Sequence, residues 1–434
     1  MQGQSVAPNA QFEMNPGVSR EEVVERTLSP YQGKSNPGVS NKTLHGKVMC
    51  GYQGWFTCPG DGSGRGWHHW GKHGKFEPGS CKIDLWPDVS ELDADERYDT
   101  PFLLPDGRPA QVFSSLNAKT VDRHFRWMKE YGIDGVFVQR FGAEIRNVMG
   151  LHHFNIVLAH CRAGANQHGR AWAAMYDLSG LRRGETKLVI EDWKQLVDRF
   201  RIGHDPKDKA YLHHRGKPLV AVWGIGFNDD RQYTLEECAQ LVDFLANDSQ
   251  YGGNCVMIGV PTYWRTLRDD CVSDPRVHEI AESADIVSPW SVGRFSTIET
   301  VDDFAHNVWQ PDLAWCKKRG LDYLPVVFPG FSWHNMRADA PFNQIPRHRG
   351  RFLWQQFIAL RDVGATMAYQ AMFDEVDEGT AIFKCTNDPP VGKSKFLDYE
   401  GVPSDHYLSL VGQGGRLIRG EIDITSVSDV QSDP

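Results

Sequence analysis

NAKTVDRHFRWMKEYGIDGVFVQRF, residues 117–141, carries the pattern on which the fold turns. An amphipathic stretch of helical spacing runs straight into an apolar, β-branched one, so a surface helix leads into a buried strand. Similar apolar runs recur at 47–56 (KVMCGYQGWF), 170–179 (RAWAAMYDLS), 217–227 (KPLVAVWGIGF), 255–264 (CVMIGVPTYW), 285–293 (DIVSPWSVG), 322–333 (DYLPVVFPGFSW) and 364–375 (GATMAYQAMFDE), which makes eight. Helical stretches such as EDWKQLVDRFRIG (191–203), TLEECAQLVDFLAND (234–248) and VDDFAHNVWQPDLAWCKKRG (301–320) fall between most of them. Strands alternating with helices imply parallel units, and eight units predict a single (β/α)8 barrel with long loops. An open doubly wound sheet is the competitor, but no GxGxxG follows the first run.

Outward from this core, residues 1–45 are rich in Ser, Pro, Asn and Gly and predict an arm or leader, with one helical candidate at REEVVERTL (20–28). The barrel domain is expected over 46–420, closed by a helix in PSDHYLSLVGQGGRLIRGE (403–421), and residues 421–434 read as a polar tail.

Of the 434 residues 40% are hydrophobic and 24% charged, ordinary values for a globular chain, and the net charge of -9 without a Lys/Arg stripe argues against nucleic acid. No run approaches the ~18 apolar residues of a membrane span, and MQGQSVAPNA lacks the basic start and apolar core of a signal peptide. A mature secreted or periplasmic protein is expected, with a cytoplasmic one left open, and a monomer without cofactor. The nine Cys contain no CxxC, so neither a zinc site nor a redox motif is indicated; Cys58 and Cys81 bracket a Gly-rich loop and are either a disulfide or two thiols.

Barrel active sites form where strands end. The run ends offer Tyr52 and Trp55, Gln139 and Arg140, Tyr176 and Asp177, Trp223, Tyr263 and Trp264, Trp290, Trp333 and His334, and Asp374 with Glu375. A single Trp is ordinarily core packing. Fourteen Trp in the chain, with aromatics at most run ends, suit a cleft in which sugar rings stack. The loop at 57–79 (TCPGDGSGRGWHHWGKHGKFEPG) adds Trp67, His68, His69, Trp70 and His73. Its histidines lack a defined ligand spacing, so a sugar-binding lip is expected there rather than a metal site.

MFDEVDEGT, 372–380, places Asp374, Glu375, Asp377 and Glu378 within five positions after the last run. Glycoside cleavage needs two differently tuned carboxyls, and residues three apart in a helical turn share one face, so Glu375 and Glu378 are the candidate pair. Here MFDEVDEGTAI resembles the F-N-E-W-H-E-G-T-Q-I signature of the endo-α-mannosidase family, glycoside hydrolase family 99, with relatives in family 71. GYQGWF, WHHW, SSLNAKTVDRHFRWMKEYGIDGVFVQ, KPLVAVWGIGF and PVVFPGFSWHNMR resemble further segments of that family, together spanning about 46–385. The resemblance implies that Glu378 is general acid and Glu375 general base, the base deprotonating the sugar's 2-hydroxyl to give a 1,2-anhydro sugar with overall retention. Departures stand at Val376 and Asp377, at Asp374, and at Gln139, Arg140 and Phe141, so mannose specificity does not carry over. Arg140 is expected either to face an acidic sugar or to bridge to the acidic turn, and Asp374 and Asp377 to orient the pair. The alternatives are a non-catalytic glycan-binding barrel and a metal-dependent hydrolase using Asp374, Asp377 and the His loop.

Overall fold

The computed structural model describes residues 17–337 and 339–423; the rest of the expected arm (1–16) and of the expected tail (424–434) lies outside the described residues. Each apolar run forms a strand: β1 Val48–Tyr52, β2 Gly135–Phe141, β3 Ala171–Asp177, β4 Lys217–Trp223, β5 Cys255–Pro261, β6 Ile286–Trp290, β7 in two pieces Asp322–Tyr323 and Val326–Val327, and β8 Ala368–Gln370. They are parallel and pair in chain order, and β8 returns to β1 with Val48 opposite Ala368 and Cys50 opposite Gln370. The sheet therefore closes as a (β/α)8 barrel. Pro325 has no N–H to give, and it divides β7. The first piece pairs with β6 and the second with β8; the Leu324 N–H donates to Val287 O over 2.9 Å and Tyr369 N–H to Pro325 O over 2.8 Å, so the wall stays continuous.

Such strands have helices outside and a packed lumen inside, which is why they read as unbroken apolar runs. Every residue of β1, β2, β5 and β8 is buried. The helices are α1 Arg20–Thr27, α2 Ala118–Tyr131, α3 Val148–His168, α4 Thr186–Gln195, α5 Leu235–Asn247, α6 Arg276–Ser283, α7 Ile298–Phe304, α8 Gln310–Lys318, α9 Arg351–Asp362 and α10 His406–Ile418. Asn117 caps α2 by accepting from Lys119 N–H, and Gly132, at φ 77°, ends it in the left-handed conformation that lets the chain turn into β2. The closing helix α10 packs on α9 and α2, completing the outer ring.

The described part of the arm is ordered. Ser19 caps α1, which lies on α3, and the chain then crosses under the barrel through Asn36 N–H to Asn166 O (2.8 Å) and Val39 N–H to Gly169 O (3.0 Å). All nine thiols are buried and unpaired: Cys58 Sγ lies 3.2 Å from Phe113 O and Cys81 Sγ 3.4 Å from Ser394 Oγ, so the two do not form a disulfide. No helix among the described residues is long and apolar enough to cross a membrane.

Candidate active site

β8 delivers the acidic turn to the C-terminal face, where the side chain of Asp374 anchors it. Its carboxylate accepts the N–H groups of Gln53 (2.8 Å) and Gly54 (2.9 Å) at the end of β1. The turn is not the helical one that the three-residue spacing predicts. Glu375 O instead accepts Thr380 N–H (3.1 Å) and Ala381 N–H (3.0 Å), closing a wider loop that still sends Glu375 and Glu378 into one cleft. Asp84, on the long segment after β1, fixes that loop from the far side. Its own N–H donates to Val376 O (2.9 Å), and its carboxylate accepts His334 N–H (2.7 Å) and Asn335 N–H (2.8 Å) after β7. Ser332 N–H completes the brace by donating to Glu378 O over 2.9 Å.

The cleft holds about 360 Å3. Gln53, Trp55 and His69 form the wall after β1, Gln139, Phe141, Ala143 and Glu144 that after β2, Asp177 and Ser179 that after β3, and Trp223 and Trp290 the far side, with the two glutamates opposite. Gln53 Oε1, Trp55 Nε1, Gln139 Oε1 and Trp223 Nε1 are buried without a hydrogen-bond partner among the described residues. A cleft with aromatic walls and hydrogen-bonding side chains in its lining suits a polyhydroxylated ligand.

The two carboxyls differ in their surroundings. Thr380 Oγ1 donates to Glu375 Oε2 over 2.6 Å and Gln53 Nε2 donates to its other oxygen, whereas no described side chain donates to the Glu378 carboxyl. Burial, then Glu378 and Asp377, push Glu375 well above the usual carboxylate range, while Thr380 and Gln53 pull it back. Burial pushes Glu378 up to about 7 against the pull of Arg337, and it pushes Asp374 up to about 6 against the two amides it accepts. Neighbouring buried carboxyls do not ionise together, so the pair retains a proton near neutrality. Burial and the acidic neighbours push Glu375 up further than Glu378, and its two donors, which Glu378 lacks among the described residues, are what work against that to hold the negative charge on Glu375.

Several residues expected at the site lie elsewhere, those on strands because only alternate side chains of a strand face the lumen. Arg140 points outward and pairs with Asp192 of α4 (2.8 Å from Nε) and Asn155 of α3, meeting neither an acidic sugar nor the acidic turn. Tyr176 donates to the same Asp192 (2.6 Å), and the hydroxyl of Tyr52 lies 2.9 Å from His124 Nδ1. Trp70 and Trp264 are fully buried core, the latter donating to Asp312 over 3.1 Å. Tyr263 lines a separate cleft of about 450 Å3 beside Arg265, Arg268 and Arg294. Trp67 packs on Phe76; Trp333, under Arg337 at 4.5 Å, and His334 belong to the loop that braces the acidic turn, outside the cleft lining. Trp55 is stacked on both His69 (3.7 Å) and Phe141 (4.9 Å), so protein rings occupy much of its face.

Sequence reasoning passed over Gln53, Glu144, Ser179, Asp84 and Thr380. Gln53 sits inside the GYQGWF run, but only the aromatic residues of that run were candidates there. As for metals, the sets of three His, Cys, Asp or Glu among the described residues close enough to share an ion are His45 with His214 and Asp322, and Asp93 with Asp95 and Glu96; neither draws on the His68–His73 loop.

No family model matches the sequence, and no curated protein matches it. The fold is similar to two solved structures of the GH99 endo-alpha-mannosidase from Bacteroides thetaiotaomicron. One, in complex with bis-tris propane, is 17% identical with a TM-score of 0.61 over 89% of this chain and 100% of the other. The second is 18% identical with a TM-score of 0.59 over 87% and 99%. A structure described as a glycoside hydrolase-like protein is 15% identical with a TM-score of 0.50 over 90% and 98%. At these identities the likeness establishes a shared barrel fold.

Proposed function

We propose that this protein is a glycoside hydrolase acting on an oligo- or polysaccharide, with Glu378 as general acid and Glu375 as general base. The observation that carries the reading is the placement of both glutamates on one aromatic-walled cleft at the C-terminal face, one carboxyl with two donors and the other with none. The barrel shared with the endo-alpha-mannosidase structures and the resemblance of the acidic turn support it. Protonated Glu378 gives its proton to the departing glycosidic oxygen. Ionised Glu375 takes the proton of the sugar's 2-hydroxyl, whose oxygen bonds to the anomeric carbon as the glycosidic bond breaks, giving a 1,2-anhydro sugar. Water then opens that ring with the roles reversed, and configuration is retained. A secreted or periplasmic setting, where such polymers are met, fits this activity.

A panel of plant, fungal and bacterial polysaccharides with product analysis tests the reading. Release of reducing ends, lost in Glu378→Gln, is the expected result. Binding without turnover across the panel would favour a non-catalytic glycan-binding barrel instead.

A further inference from the structure

The proposed chemistry leaves two carboxyls of the acidic turn unused, Asp374, which anchors the turn, and Asp377. Asp377 is fully buried, its Oδ2 lies 3.0 Å from Nδ1 of His69, and its Oδ1 has no hydrogen-bond partner among the described residues. His69 lines the cleft with its ring parallel to Trp55, 5° between planes, and Nε2 bonds to no described residue. Its backbone sits at φ 61°, in the left-handed region.

The proton count follows from burial. A carboxylate with a single side-chain contact and one orphaned oxygen is poorly solvated, and burial together with the acidic neighbours in the turn raises it against the pull of Lys82; burial, with Lys82 and Arg65 nearby, opposes a full positive charge on the imidazole. The pair as a whole is therefore best kept neutral, with one dissociable proton between Asp377 and Nδ1. That proton rests either on Oδ2, with Nδ1 accepting, or on Nδ1, as an imidazolium facing a carboxylate. In both arrangements Nε2 keeps its hydrogen.

We propose that Asp377 and His69 share a proton and so hold the Nε2–H of His69 as a fixed hydrogen-bond donor to a ligand oxygen in the cleft. His69 is then a binding residue and Asp377 its positioning residue. The inference rests on the function proposed above only in taking that oxygen to be a sugar hydroxyl. The donor fixes the orientation of the sugar over Glu375 and Glu378 and takes no part in bond cleavage.

Imidazole 15N NMR of the full chain without ligand tests the arrangement, with the His69 signals assigned by their loss in His69→Phe, which keeps an aromatic ring against Trp55. Nε2 should remain protonated from about pH 5 to about pH 8, and Asp377→Ala should let it lose that proton in part of the chains. A bare Nε2 with Nδ1 protonated in the unsubstituted protein overturns the proposal. On the panel polysaccharide that the unsubstituted protein cleaves, His69→Phe should raise KM roughly tenfold while kcat moves less than about threefold; an unchanged KM also overturns it. If no polysaccharide is cleaved, the glycosidase reading fails by itself and the NMR result still decides the pair.

Discussion

Thr380 Oγ1 donates a hydrogen bond to Glu375 Oε2 over 2.6 Å, five residues further along the same turn. That bond favours the ionised form of Glu375, the form a base requires. Thr380→Val keeps the shape and removes the donor, so the proton affinity of Glu375 should rise. The acid limb of the kcat/KM profile should move to higher pH, with activity at neutral pH down about tenfold for one lost charge-assisted hydrogen bond. An unmoved limb would show that Glu375 is not the titrating base.

Glu375→Gln and Glu378→Gln each should lower turnover by at least ~100-fold with binding largely retained. Since burial holds Glu378 up to about 7 and the acid acts protonated, activity should fade as pH rises through about 7. Loss of Glu378 should weigh most on substrates with poor leaving groups, and loss of Glu375 on good and poor alike. If Asp377→Asn abolished turnover while Glu378→Gln left it near normal, the assignment of the acid would be wrong.

Trp290 and Trp223 line the cleft half-buried, whereas Trp70 and Trp264 are fully buried. Trp290→Ala should weaken glycan binding by ~1 kcal/mol or more with little effect on unfolding. Trp264→Ala should lower stability by about 3–5 kcal/mol instead. Calorimetric binding beside urea unfolding separates the two, and equal losses of stability at both positions would count against Trp290 as a binding surface.

Arg140→Met leaves Asp192 buried without its cation, and breaking one side of such a pair typically costs about 3–5 kcal/mol. Substrate preference should not change, because the guanidinium faces away from the cleft. A variant of normal stability with an altered preference among neutral and acidic sugars would restore the reading of Arg140 as a sugar contact.

Buried titrating groups also set a pH window for stability. The folded chain holds His124 down to about 3 and His152 and His160 down to about 4, so unfolding takes up protons below 6.5 and stability is lost as pH falls. Asp374, held up to about 6, and Glu378 and Asp312, held up to about 7, act in the opposite sense: the folded state binds the extra protons, and stability is lost as pH rises through those values. The urea midpoint should therefore peak at roughly pH 6 and decline towards about pH 8. A midpoint that climbed over that interval would contradict these assignments.

The barrel was legible because parallel strands buried on both sides leave long apolar runs, a signal that needs no knowledge of which residues touch. The site was less so. Trp264 and Trp290 look alike in sequence, yet one packs against Asp312 and the other lines the cleft, since direction changes at every residue of a strand and again in the turn that follows. Asp84 and Thr380 act through backbone geometry and single hydrogen bonds, which composition and spacing do not encode. The acidic turn was visible as a cluster of charge; that it is an irregular loop depends on Asp84 and Ser332, held by contacts from distant parts of the chain.

The two amides that Asp374 accepts belong to Gln53 and Gly54, 321 and 320 positions earlier in the chain. The cleft therefore does not exist until the last strand has reached the first. Closing so long a loop adds only a logarithmic entropy term, but contacts of such separation form slowly. During refolding, tryptophan burial should run ahead of the return of binding or turnover, and the two traces would meet only when the ring is complete. Under the proposed chemistry an unfinished chain should be inactive, because its carboxyls lie apart from the walls that orient a sugar against them.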